Sequence, residues 1–129
     1  MTSIEKIATE NQQQAWKIIE TLDIVNTWQS IGAEINLVGS LRMGLLVNHR
    51  DIDFHIYTNQ FNLSDSFAAI AKLAENSHIK HVTYDNFLNI EDACIQWQAI
   101  YEDENNKRWQ IDMVHILRGS RYEGYFEKV

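Results

Sequence analysis

The chain has 129 residues, 45% of them hydrophobic and 22% charged, a soluble composition that suits one domain with an ordinary core. Its net charge of -7 argues against a nucleic-acid partner, because non-specific grip on DNA or RNA depends on cations neutralising phosphates. No apolar run reaches membrane-spanning length and the N-terminus has no signal-peptide pattern, so the protein is expected to be cytoplasmic with no membrane partner.

From residue 3 to about residue 30, helical spacing is kept by Ile4, Ile7, Ala8, Ala15, Ile18, Ile19 and Leu22. Ser3 is a candidate cap, Gly32 a candidate end, and a break near residues 21–23 divides the segment in two. Trp16 and Trp28 are read as packing residues. Residues 35–38 make a short β-like run that ends at Gly39-Ser40, and residues 41–47 are apolar enough for a short helix packed on a sheet. Asp51, Ile52, Asp53, Phe54, His55, Ile56 and Tyr57 then alternate as a strand.

A polar connection over 58–63 leads to an amphipathic helix over 64–75, with serine capping and a stop at Asn76-Ser77. A strand over about 79–84 follows. Residues 93–102 and 107–116 alternate as two further strands, joined by a hairpin turn at 103–106. The last residues, 118–129, are rich in aromatics, and exposed Tyr122, Tyr125 and Phe126 would suit a dimer interface. Cys94 is the single cysteine. It has no internal disulfide partner and reads as a small buried hydrophobe.

The most informative stretch is Gly39-Ser40 followed ten residues later by Asp51-Ile52-Asp53. Backbone N–H groups of a small-residue turn at a helix start attract an anion, and glycine allows close approach. Asp51 and Asp53 lie two apart on a strand, so their side chains leave one face, roughly 6.6 Å apart at the backbone. Converging carboxylates could bracket two divalent ions about 3.5–4 Å apart, an arrangement that stabilises the attacking and leaving oxygens of a phosphoryl displacement. Hard oxygen ligands favour Mg²⁺ or Mn²⁺. The alternative is an amphipathic strand with a solvated acidic face; the coupling to Gly39-Ser40 favours the metal site.

A third carboxylate, Asp112, interrupts the alternating strand over 108–116. Its same-face neighbours are Gln110 and Val114, so it needs water, a donor or a cation. Its alternative is the exposed face of an edge strand. His55 shares a face with Asp51 and Asp53, and His115 falls on the face opposite Asp112. No paired-histidine spacing of the His-Glu-x-x-His kind occurs, so a zinc hydrolase is the lesser reading.

Val38, Gly39, Ser40, Asp51, Ile52, Asp53 and Phe54, with Asp112 on a later strand, resemble the DNA polymerase β-type nucleotidyltransferase superfamily, over roughly residues 33–116. The resemblance implies an α+β (α/β) fold, with a mixed, mostly antiparallel sheet and helices packed on one face. It implies that Gly39, Ser40 and Arg42 bind the nucleotide's phosphates, that Asp51 and Asp53 ligate Mg²⁺ or Mn²⁺, and that Asp112 ligates the catalytic metal or helps deprotonate the acceptor hydroxyl. The implied reaction transfers a nucleoside monophosphate, AMP from ATP, to a hydroxyl of a small-molecule or protein acceptor, releasing pyrophosphate.

There are departures. Met43 and Leu41 stand where basic residues are common in small members, leaving Arg42 as the cation of the turn; His49, Arg50, Arg118 and Arg121 flank the site in sequence. A catalytically inactive nucleotide-binding or protein-interaction module, antitoxin-like, is therefore the alternative. Residues 1–129 are expected to form a single domain. The helical region that such chains often add after the core is not visible in 118–129, which points to a truncated chain or to completion by a dimer mate.

Overall fold

A computed structural model describes residues 3–42, 50–89 and 93–117. Helix α1 (Ser3–Leu22) ends where Asp23 enters the left-handed region at φ 53°, a conformation that a short polar side chain tolerates. Helix α2 (Ile24–Gln29) resumes immediately, as the break near residues 21–23 implied. The Asp23 main-chain carbonyl accepts the Thr27 hydroxyl at 2.7 Å, and its carboxylate accepts the Asn26 amide at 2.8 Å. Gly32, at φ +82°, turns the chain into strand β1 (Glu34–Val38).

Helix α3 (Gly39–Arg42) is the described part of the expected 41–47 helix, and Met43 and the residues up to His49 lie outside the described residues. Strand β2 (Asp51–Thr58) is followed by helix α4 (Leu63–Ala74). The cap of α4 is Asn62, whose side chain accepts the Asp65 N–H at 3.1 Å, rather than a serine. Asn62 sits in extended backbone, where its short acceptor reaches the third helical amide, while Ser66 is fully buried and bonded elsewhere. Strands β3 (Ile79–Asn86), β4 (Cys94–Glu102) and β5 (Arg108–Leu117) complete the chain's described elements.

The sheet order is β1-β2-β5-β4-β3. Only the central β2–β5 pair is parallel, the other three being antiparallel. That parallel pair forces a long return through α4, β3 and β4, since parallel neighbours need a crossover. The result is the mixed, mostly antiparallel sheet implied by the resemblance.

Strand alternation sorts the sheet into two faces. Ile52, Phe54 and Ile56 of β2, Trp109, Ile111 and Met113 of β5, and Ile95, Trp97, Ala99 and Tyr101 of β4 join one core. Ala15, Ile18, Ile19 and Leu22 of α1, Ile24 and Trp28 of α2, and Ala69, Ile70 and Leu73 of α4 pack into the same core. The helices therefore lie on one face. Trp28 is 0% exposed as expected, but Trp16 is 49% exposed. Trp16 falls about 100° around the helix from Ala15, off the stripe that Ala15, Ile18, Ile19 and Leu22 bury. Cys94 is buried and in no disulfide, and no helix among the described residues is long and apolar enough to cross a membrane.

A buried polar chain ties the layers together. The Trp97 indole N–H donates to Ser66 Oγ at 2.9 Å, which leaves the serine hydroxyl to donate to His115 Nδ1 at 2.9 Å. His115 Nε2–H then donates to Thr58 Oγ1 at 3.0 Å, a tautomer assigned from this order of donors. Trp28 meets the His115 ring edge-on at 5.3 Å and Phe61 at 4.9 Å. Burial holds the imidazole well below its usual range, at about 4.

Candidate active site

The sheet face opposite the helices carries the three candidate carboxylates. Register places Val38 opposite Asp53, Asp53 opposite Asp112, Asp112 opposite Gln98, and Gln98 opposite Thr83. One cross-strand row thus runs through all five strands with two carboxylates at its centre. On one side of it, Asp51 pairs with Gln110; on the other, His55 pairs with Val114, and Gln96 lies between Val114 and Asp85.

Asp112 does not sit on an edge strand. It projects from β5, the middle strand of the sheet, and two neutral amides hold its carboxylate: Gln110 Nε2 donates to Oδ2 at 3.0 Å and Gln98 Nε2 to Oδ1 at 3.3 Å. Those donors satisfy its lone pairs without neutralising its charge. Next to it, burial pushes the Asp53 carboxyl up to about 6; the Asp112 charge, a hydrogen bond shared with Asp112, and the Asp51 charge push in the same direction. A carboxyl raised in this way marks burial first and neighbouring negative charge second.

Gly39 closes the site from the β1 side. Its φ is +76°, and a Cβ placed there would lie 2.7 Å from Asp53 Oδ2. Glycine is required twice over, for the left-handed backbone and for the approach of the carboxylate. Ser40 follows in α3, and Arg42 ends α3 with an exposed side chain. Arg50 immediately precedes β2; its main-chain carbonyl accepts the Gln110 N–H at 2.8 Å, and its buried Nε has no hydrogen-bond partner. His49, Arg118, Arg121 and the aromatic residues Tyr122, Tyr125 and Phe126 lie outside the described residues.

Among the described residues, no three His, Cys, Asp or Glu side chains are already gathered into a set that could hold a metal ion. The expected triad is present as a close pair, Asp53 and Asp112, with Asp51 one row away, because two residues along a strand separate side chains by roughly 6.6 Å at the backbone. The donor set nevertheless fits a hard divalent cation. It consists of carboxylate oxygens; the Asp53 carboxyl is raised to about 6 by burial and then by its acidic neighbours, and a divalent ion would relieve the part that comes from charge crowding.

The sequence did not point to Gln98, whose signal is the polar alternation of Gln96 and Gln98 between buried Ile95, Trp97 and Ala99. His55 is buried on the carboxylate face, and His115 lies on the helix-covered face, so the two histidines do not join one cluster.

No protein-family model and no curated protein matches the sequence. Solved structures do. The chain is similar to the GLD-2–GLD-3 poly(A) polymerase complex, with 10% identity, a TM-score of 0.55, and coverage of 89% of this chain and 40% of that one. It is similar to the RNA terminal uridylyl transferase Cid1, with 15% identity, a TM-score of 0.58, and coverage of 85% and 31%. A cytoplasmic RNA terminal U-transferase matches with 13% identity, a TM-score of 0.53, and coverage of 83% and 36%. The chain spans 31% to 40% of the length of these structures. What they share with it is the fold: the chain has the polymerase β-type nucleotidyltransferase fold.

Proposed function

We propose that the chain is a nucleotidyltransferase that moves a nucleoside monophosphate, AMP from ATP, onto an acceptor hydroxyl. The observation that carries this reading is the parallel register that sets Asp53 beside Asp112 with Gly39 against the Asp53 carboxylate. Asp53 and Asp112, joined by Asp51, would hold Mg²⁺ or Mn²⁺. When bound, such ions polarise the α-phosphate and neutralise charge on the departing pyrophosphate.

The chain's own residues do the rest. The Gly39-Ser40 turn, whose glycine packs against the Asp53 carboxylate, would offer its backbone amides to the β- and γ-phosphates, with Arg42 the cation of the turn. The acceptor oxygen attacks the α-phosphorus as the bond to the β-phosphate oxygen breaks, so pyrophosphate leaves and the hydroxyl proton passes to a carboxylate. Asp112 would take that proton: the amides of Gln98 and Gln110 fix the orientation of its carboxylate, which supports that role. Most of the acceleration then comes from positioning and charge neutralisation.

The test is pyrophosphate release from ATP with Mg²⁺ or Mn²⁺ by the wild-type chain, Asp53→Asn and Asp112→Asn. Both variants should lose at least ~10²-fold in rate with unchanged circular dichroism. Undiminished release in either variant overturns the mechanism. Thermal stabilisation by ATP and Mg²⁺ without any release would favour the inactive binding module, for which the single turn cation Arg42 speaks.

A further inference from the structure

Beside Asp112, on the side away from β2, the sheet face forms a cleft of about 460 Å³, well inside the range of small-ligand sites, ~300–1,000 Å³. Asp53 and Asp112 form one end of it, Gln96 and Gln98 of β4 the middle, and Thr83 and Asp85 of β3 the far end. Gln98 stands opposite both Asp112 and Thr83, and Gln96 stands opposite Asp85. The cleft therefore carries amide and hydroxyl groups between two acidic ends, with Val114 and Trp97 adding apolar lining. Among the described residues that line it there is no Lys or Arg.

Resting on the reading of this site as a nucleotidyltransferase centre, we propose that the acceptor is a small, hydroxyl-rich molecule without phosphate or carboxylate charge, a neutral or aminated sugar or polyol. Its attacking hydroxyl lies at Asp112 and its other hydroxyls along Gln98, Gln96 and Thr83. A primary amide offers two donors and an acceptor, and threonine one donor and two lone pairs, which is the complement of successive sugar hydroxyls. Asp85 accepts from a hydroxyl or an ammonium at the far end. Metal bound at Asp53 and Asp112 would offset the charge of that end, but an anionic acceptor would still meet Asp85 at the other with no Lys or Arg among the described lining residues to pair with it, and like charges brought together across a contact are disfavoured. An RNA strand, whose next phosphate would enter this cleft, is disfavoured for the same reason.

In the step itself, the sugar oxygen forms its bond to the α-phosphorus of the nucleotide, the bond from that phosphorus to the bridging oxygen breaks, pyrophosphate carries away the electron pair, and Asp112 takes the hydroxyl proton.

The experiment incubates the full chain with Mn²⁺ and α-phosphate-labelled ATP in the presence of inositol, glucosamine, a hexose phosphate or a short single-stranded RNA. Label should appear on inositol or glucosamine at least ~10-fold faster than on the hexose phosphate or RNA, since a difference of 1.4 kcal/mol already gives that ratio; the two favoured acceptors separate the neutral form from the aminated one. Gln96→Lys, a change at an exposed position, should shrink that ratio by raising transfer to the hexose phosphate. Label on RNA or hexose phosphate in preference to both polyols overturns the acceptor class while nucleotidyl transfer stands. Thermal stabilisation by ATP and Mn²⁺ with no label on any acceptor also overturns it. Absence of both stabilisation and transfer overturns the reading on which it rests.

Discussion

Two titratable side chains impose opposite pH dependences on stability, and each can be isolated. Asp53 binds its proton more tightly folded, at about 6, than unfolded, at 3.8. Its contribution is fully present below about 3.8 and is lost as pH rises through 6. His115 binds its proton less tightly folded, at about 4, than unfolded, at 6.5. Its contribution is present above 6.5, falls away as pH drops toward 4, and is on the order of 3 kcal/mol. Asp53 is only partly buried, so solvent screening makes its slope the shallower of the two. Without metal, Tm in Asp53→Asn should rise more steeply between pH 4 and 6.5 than in the wild type, whereas in His115→Gln it should fall with pH. Parallel Tm profiles for the wild type and both variants would show that neither group is perturbed as described.

Gly39 is the other residue whose identity the geometry dictates. Gly39→Ala combines a left-handed non-glycine residue, at about 1–2 kcal/mol, with a Cβ driven toward the Asp53 carboxylate. The denaturation midpoint should fall accordingly and pyrophosphate release should drop with it. An alanine variant with wild-type stability and rate would mean that the carboxylate does not depend on this approach.

At the scale of elements, the β4–β5 hairpin sets Asp112 in register with Gln98, and Asp103 organises its turn. The Asp103 carboxylate accepts the Asn105 and Lys107 amides at 2.9 and 3.0 Å and the Trp109 indole at 3.1 Å. Burial alone would raise this carboxyl; the hydrogen bonds from Lys107, Trp109 and Asn105 outweigh it and leave the carboxyl below its ordinary value. Asp103→Ala should cost about 2–3 kcal/mol in urea unfolding, the penalty for leaving buried donors unmade. A cost below about 0.5 kcal/mol would show that the turn forms without its acceptor. Ser66 plays the matching part between α4 and the sheet, linking Trp97 to His115, and its burial is what the helical pattern of 64–75 could not distinguish from a surface serine.

For the whole molecule, the Asp53–Asp112 pair with Asp51 one row away on the same sheet face makes the metal-free fold work against its own charge. Divalent cation and nucleotide should relieve this. At ~100 times its dissociation constant, a ligand of the folded state adds about 2.7 kcal/mol, so Mg²⁺ with ATP should raise Tm by several degrees and a chelator should reverse the rise. Asp51→Asn and Asp112→Asn should weaken the metal-dependent part. A Tm indifferent to every metal and nucleotide would count against both the enzyme and the binding module.

Local pattern was enough to read the elements themselves. The alternation of Ile52, Phe54 and Ile56 defines a strand whose odd residues face away from the core, the break at Asp23 divides the first helices, and the Asp103–Asn106 turn joins β4 to β5. These are short-range consequences of side-chain period and backbone preference. The spacing of Gly39-Ser40 from Asp51 and Asp53 carried the superfamily resemblance in the same way. Which strand lies beside which is not a short-range property. The meeting of Asp53 with Asp112 depends on the parallel β2–β5 register, about sixty residues apart in the chain. The glutamine strip depends on β4 and β3 continuing that row, and the exposure of Trp16 on how much of α1 the sheet covers. Chain-local patterns determine the faces; only closure of the sheet decides which faces' residues meet.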